Sequence, residues 1–71
     1  MAEEIRAHIT GVVFQIMAKA GDAIVAGDVI VVIESMKMEI PVEAPHAGTV
    51  REIRVEEGQT VQEGEIVAML D

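Results

Sequence analysis

Slid against itself by 37 positions, with no gap, the chain repeats. Gly11-Val12-Val13-Phe14-Gln15-Ile16 falls on Gly48-Thr49-Val50-Arg51-Glu52-Ile53, and Gly21-Asp22-Ala23-Ile24 falls on Gly58-Gln59-Thr60-Val61. The same register sets Gly27-Asp28-Val29-Ile30 on Gly64-Glu65-Ile66-Val67, Ile33-Glu34 on Leu70-Asp71, Ile5 on Val42 and Ala7 on Ala44. A duplication this short restricts the fold severely. Neither copy holds enough strands to bury a face alone, so the copies must close on each other across a pseudo-twofold axis. The half-repeats run from about 2 to 34 and from about 39 to 71, joined by a hairpin at 35–38, and residues 1–71 form one domain.

Residue type decides between strand and helix. Val and Ile dominate, glycine punctuates the chain at 11, 21, 27, 48, 58 and 64, and no stretch between carries apolar residues at helical spacing. The expected fold is all-β, a flattened eight-stranded barrel or sandwich of two four-stranded sheets. Its strands are expected near 4–9, 12–17, 23–25, 29–35, 38–43, 49–55, 60–62 and 66–70, with the glycines marking equivalent turns. Val13 to Ile16 and Val50 to Ile53 are spaced by three where strict alternation gives two, so matching β-bulges are expected in both copies.

Composition removes several kinds of function. With 13 acidic residues against five basic ones, the net charge is −8, and Arg6, Lys19, Lys37, Arg51 and Arg54 are dispersed, which argues against a nucleic-acid partner. The longest aliphatic run, Val29 to Ile33, cannot span a bilayer, and Met1-Ala2-Glu3-Glu4 lacks the basic-then-apolar pattern of a signal peptide. A soluble cytoplasmic protein without a membrane partner is expected. There is no cysteine, hence no disulfide, thiolate metal site or thiol nucleophile. A chain of 71 residues has little room for a substrate cavity. His8 and His46 fall at non-equivalent places with no carboxylate spacing that suggests a metal shell, and Ser35 has no histidine near it in sequence. Neither metal binding nor catalysis is expected, and the isolated domain is expected to be a monomer.

What the repeat leaves over is Ser35-Met36-Lys37-Met38. Glu34 and Glu39 flank this joint, and Met36-Lys37 would form the tip of a two-residue hairpin. Tight hairpins favour Asn-Gly or Gly-rich pairs because their central residues need positive φ. Met-Lys breaks that rule in a chain that otherwise puts glycine at its turns, which points to side-chain chemistry at the tip. Spacing alone is equally consistent with a solvated lysine between two strand methionines.

Glu34-Ser35-Met36-Lys37-Met38-Glu39 resembles the attachment motif of the biotinyl/lipoyl domain family, in the form found in biotin carboxyl carrier domains. Ala44-Pro45-His46-Ala47-Gly48 resembles the stretch after the attachment hairpin, and Gly58 to Leu70 the last two strands. The resemblance implies a lysine on a protruding hairpin, with the termini at the opposite end, acylated by a biotin protein ligase from a biotinyl-adenylate. Carried onto this chain, Lys37 would hold covalent biotin, Met36 and Met38 would frame it, and Glu34, Ser35 and Glu39 would contribute to ligase recognition. The tethered biotin would then carry a carboxyl group between a biotin carboxylase and a carboxyltransferase, the domain itself being non-catalytic. Met17-Ala18-Lys19-Ala20 leads directly into Gly21-Asp22, so the protruding thumb of some bacterial carriers is missing. The similarity is therefore to thumbless carrier domains and to small stand-alone biotin/lipoyl attachment proteins. Two alternatives share the fold: a lipoyl carrier of a 2-oxo acid dehydrogenase system, whose lysine typically follows Asp where Met36 stands here, or a dual biotin/lipoyl attachment protein; and an unmodified structural or interaction module.

Overall fold

Eight short strands account for the apolar pattern: β1 Glu3–Arg6, β2 Gly11–Ile16, β3 Ala23–Ile24, β4 Val29–Ser35, β5 Met38–Glu43, β6 Gly48–Ile53, β7 Thr60–Val61 and β8 Ile66–Leu70. They are seen in a computed structural model that describes residues 2–71. The strands pair antiparallel into two four-stranded sheets, ordered β1-β8-β6-β3 and β5-β4-β2-β7. Adding 37 to the first copy's residues and subtracting it from the second's turns one sheet into the other, pair by pair. Glu3 opposite Leu70 becomes Ile40 opposite Ile33, Val13 opposite Ile33 becomes Val50 opposite Leu70, and Ile24 opposite Gly48 becomes Val61 opposite Gly11.

The expected bulges are present at equivalent places. Register slips between Val13 and Gln15 against β4, and between Val50 and Glu52 against β8, leaving Phe14 and Arg51 as the extra residues. Several strands end earlier than the apolar pattern suggests. β1 stops at Arg6, where Ala7 leaves the ladder and bonds the turn before β8, its N–H donating to Glu65 O (2.9 Å) and its carbonyl accepting from Gly64 N (2.8 Å). Ala44 does the same with Asp28 (2.8 Å) and Gly27 (2.9 Å).

The interior obeys the same symmetry. Every buried apolar residue among those described has a buried mate 37 positions away: Ile5 with Val42, Ala7 with Ala44, Val13 with Val50, Ala18 with Val55, Ile24 with Val61, Ile30 with Val67, Val31 with Ala68 and Ile33 with Leu70. Two of these pairs trade volume, since the first copy has the smaller residue at Ala18 and the larger at Val31. No polar residue is buried among those described, so cohesion rests on aliphatic packing and ladder hydrogen bonds.

Four glycines, at 21, 27, 58 and 64, sit at φ between 90° and 96° in the turns, as expected. Gly11 and Gly48 differ from that expectation because they begin strands. A Cβ on Gly11 would strike the Glu34 carbonyl, and one on Gly48 the Asp71 carbonyl, so each marks a close approach of two backbones. The 17–22 connection brings the end of β2 to the start of β6, with Gly21 N donating to Val50 O at 2.8 Å. β2 and β6 therefore begin at opposite ends of the molecule, which measures 32 × 17 × 17 Å. The β4–β5 hairpin protrudes at one end, and the first and last strands, paired Glu3 to Leu70, finish at the other.

Candidate functional site

Three cross-strand pairs build the hairpin toward its tip: Ile33 with Ile40, Glu34 with Glu39, and Ser35 with Met38. Only Met36 and Lys37 remain to reverse the chain. Their φ angles are 53° and 63°, the two positive values of a type I′ turn, and they are the only non-glycine residues with positive φ among those described. An L residue in this region costs about 1–2 kcal/mol relative to ordinary backbone, so placing two in succession opposes stability. Strain of this kind persists where the surroundings impose it and the side chains are needed. Here the flanking ladder imposes it.

The neck of the hairpin carries a second unfavourable feature. Glu34 and Glu39 are both exposed and stand directly opposite each other, a like-charge cross-strand pair that weakens a ladder. Neither makes an ion pair among the described residues. The strands of the β5-β4-β2-β7 sheet contain no Lys or Arg, so Lys37 is a cation beyond strands whose only charged residues are glutamates. Met36 is 91 % exposed and Met38 64 %, values unusual for side chains that could shelter in a core, and Lys37 is exposed between them. Ser35 is half-buried at the base of the turn.

The sequence-predicted residues Glu34, Ser35, Met36, Lys37, Met38 and Glu39 thus stand together on one protruding element. Gly11 belongs with them and was not singled out for this role. It seats β2 against the neck, with the Ile33 Cγ2 2.7 Å from where a Cβ would lie. In the sequence it reads as one more turn glycine.

His46 lies apart, in the β5–β6 loop. Its Nδ1–H donates to the Ala47 carbonyl and its Nε2–H to Glu3 Oε1, each at 2.8 Å. Both ring nitrogens face acceptors, and only the imidazolium carries two N–H groups. The hydrogen bond to Ala47, then that to Glu3, therefore raises its pKa above 6.5. No cluster of potential metal ligands occurs among the described residues.

A small twofold β-sandwich with no buried polar residue among those described presents one lysine on a strained, exposed turn, the arrangement a carrier module needs. Comparison with known proteins agrees. A biotin/lipoyl family model, described as "Biotin-requiring enzyme", matches residues 1–70, and the chain belongs to that family. It is 46 % identical over 70 residues to a biotinylated protein TB7.3 homolog of Mycobacterium leprae, covering 99 % of each chain. It is 40 % identical over 63 residues to the biotin/lipoyl attachment protein of Bacillus subtilis, covering 89 % of this chain and 86 % of that one. Among solved structures it superimposes on the urea carboxylase of Kluyveromyces lactis with a TM-score of 0.95 at 35 % identity, over all of this chain and 6 % of that much longer one.

Proposed function

We propose that this domain is a biotin carboxyl carrier whose attachment site is Lys37. The observation that carries the reading is the turn itself: a lysine at φ 63° after a methionine at φ 53°, fully outside the core, at the end of the molecule remote from the termini. Covalent attachment asks the domain for an accessible amine and a rigid base, and the hairpin supplies both. A lysine amine in water is protonated at neutral pH, so the ligase must remove a proton before acylation. Nζ then attacks the carboxyl carbon of biotinyl-adenylate, an amide bond forms and AMP departs. Exposure leaves the deprotonation and the activation to the partner enzyme; the domain positions the nucleophile.

Membership in the family and the likeness to a carboxylase domain support biotin carboxylase and carboxyltransferase as the sites between which the tethered group moves. Bound biotin supplies the carboxyl-carrying chemistry. Tethering holds it near both sites at roughly millimolar effective concentration, which free biotin at trace levels would not reach. The need for an ATP-made adenylate supports a cytoplasmic setting. The acidic, self-repelling neck also supports a protein that works as a monomer.

A lipoyl group on the same amine is the second reading, favoured by the name of the Bacillus subtilis relative. Co-expression with a biotin protein ligase and a lipoyl ligase, each supplied with its acid, tests both readings. The wild type is expected to gain one biotinyl group and bind avidin, whereas Lys37→Ala gains neither group and retains its β-sheet circular dichroism. A wild type that remains unmodified, or carries lipoate alone, contradicts the biotin assignment.

A further inference from the structure

The backbone obeys its twofold axis; the outer surface does not. Where the first copy has Val12, Phe14, Met17 and Val25, all exposed, the second copy has Thr49, Arg51, Arg54 and Gln62. Val12 and Phe14 are 40 % and 48 % exposed on β2, within the sheet that carries the hairpin. Val12 stands opposite Glu34, so the apolar stripe begins at the neck of the hairpin. The bulge makes Phe14 the extra residue and turns it outward beside Gln15, whose partners across the sheet are Val32 and then Pro41. On the other sheet Arg51 pairs with Asp71 (3.3 Å) and Arg54 with Glu52 (3.2 Å), an ordinary solvated face.

An identical scaffold accepts charge at these positions, so the fold does not require the apolar residues in the first copy. Their edges identify what meets them. Glu34 and Glu39 border the stripe at the tip, and Glu57, whose Oε2 accepts from Ile16 N at 3.0 Å, borders it beside the bulge. This acidic border, on a chain of charge −8, opposes pairing with a second copy and favours a basic partner. An enzyme that holds an acyl-adenylate must neutralise a phosphate next to its lysine-binding site, so its surface there is basic. Geometry makes the same match, since whatever encloses Lys37 reaches the sheet face continuous with it.

We propose that the outer face of the β5-β4-β2-β7 sheet, centred on Val12 and Phe14, is the surface gripped by the biotin protein ligase, which presents an apolar pocket bordered by Lys and Arg. The inference rests on Lys37 being the biotin acceptor. It assigns Val12 and Phe14 to docking, with the three glutamates steering the approach.

The test is steady-state biotinylation of the full chain by a purified biotin protein ligase with biotin and MgATP. Phe14→Arg and Val12→Thr copy the residues of the second half, so both variants are expected to fold, which circular dichroism verifies. Phe14→Arg is expected to raise KM for the domain about fivefold or more, as loss of an interface anchor does, while kcat stays within about twofold. Val12→Thr has a smaller effect in the same direction, added salt raises the wild-type KM, and Arg51→Phe on the opposite sheet leaves KM unchanged. Wild-type KM in Phe14→Arg, or an equal loss in Arg51→Phe, overturns the docking face while leaving Lys37 as acceptor. Sedimentation showing a wild-type dimer that Phe14→Arg dissociates overturns it in favour of self-association. An unmodified wild type removes the acceptor and the docking face together.

Discussion

Met36 and Lys37 hold left-handed backbone that Asn-Gly would adopt at less cost, and Glu34 and Glu39 face each other across the neck. Four neighbouring side chains thus sit where local energetics disfavours them, and all four are exposed at or beside the tip of the hairpin. His46 shows the opposite case, an exposed residue with good partners. Its raised pKa means the folded chain binds that proton more tightly than the unfolded chain does. The stabilisation is complete below pH 6.5, the ordinary histidine value, and is lost as pH rises through the raised value. Glu3→Gln removes the negative charge beside Nε2, weakening the Glu3 contribution, and leaves the Ala47 bond. An NMR titration is expected to place the His46 midpoint lower in Glu3→Gln than in wild type, with thermal stability less dependent on pH from 6 to 8. An unchanged midpoint would mean that the ion pair does not form in solution.

At the scale of the element, the hairpin depends on a residue outside it. Gly11 opens β2 under the Glu34 carbonyl, and Gly48 opens β6 under that of Asp71, so a methyl group at either would push on backbone that the ladder holds. Overpacking of this kind costs about 1–3 kcal/mol. Gly11→Ala and Gly48→Ala are each expected to lower the melting temperature by about 4 °C or more in a domain of this size. A Gly11→Ala variant that melts like wild type would show that β2 does not press on the hairpin neck. This contact was invisible in the sequence because a glycine that admits a neighbouring backbone reads the same as one that turns the chain. The bulges were legible from the spacing of Val13 to Ile16 and Val50 to Ile53, but their outward display of Phe14 was not. An apolar residue in a strand pattern reads as core until the slip in register assigns its face.

For the molecule as a whole, the duplication specifies far more than the eight strands. It implies two four-stranded sheets closed across a twofold axis, matches the core in mated pairs, and leaves one surplus segment, 35–38, between the copies. Those features were legible because packing and turn glycines repeat with the backbone. The division of the surface into an apolar acidic-edged face and a solvated one was not, since exposed positions are free to diverge between copies. The central claim is that position within this turn, and not merely the presence of a surface lysine, selects the acceptor. Peptide mapping by mass spectrometry after treatment with biotin protein ligase, biotin and MgATP tests it directly on three chains: wild type, Lys37→Arg, and the exchange Met36→Lys with Lys37→Met. One biotinyl group on Lys37 of the wild type, and none on either variant, is the predicted result. Modification of Lys19, or of the exchanged chain at wild-type yield, would contradict the account.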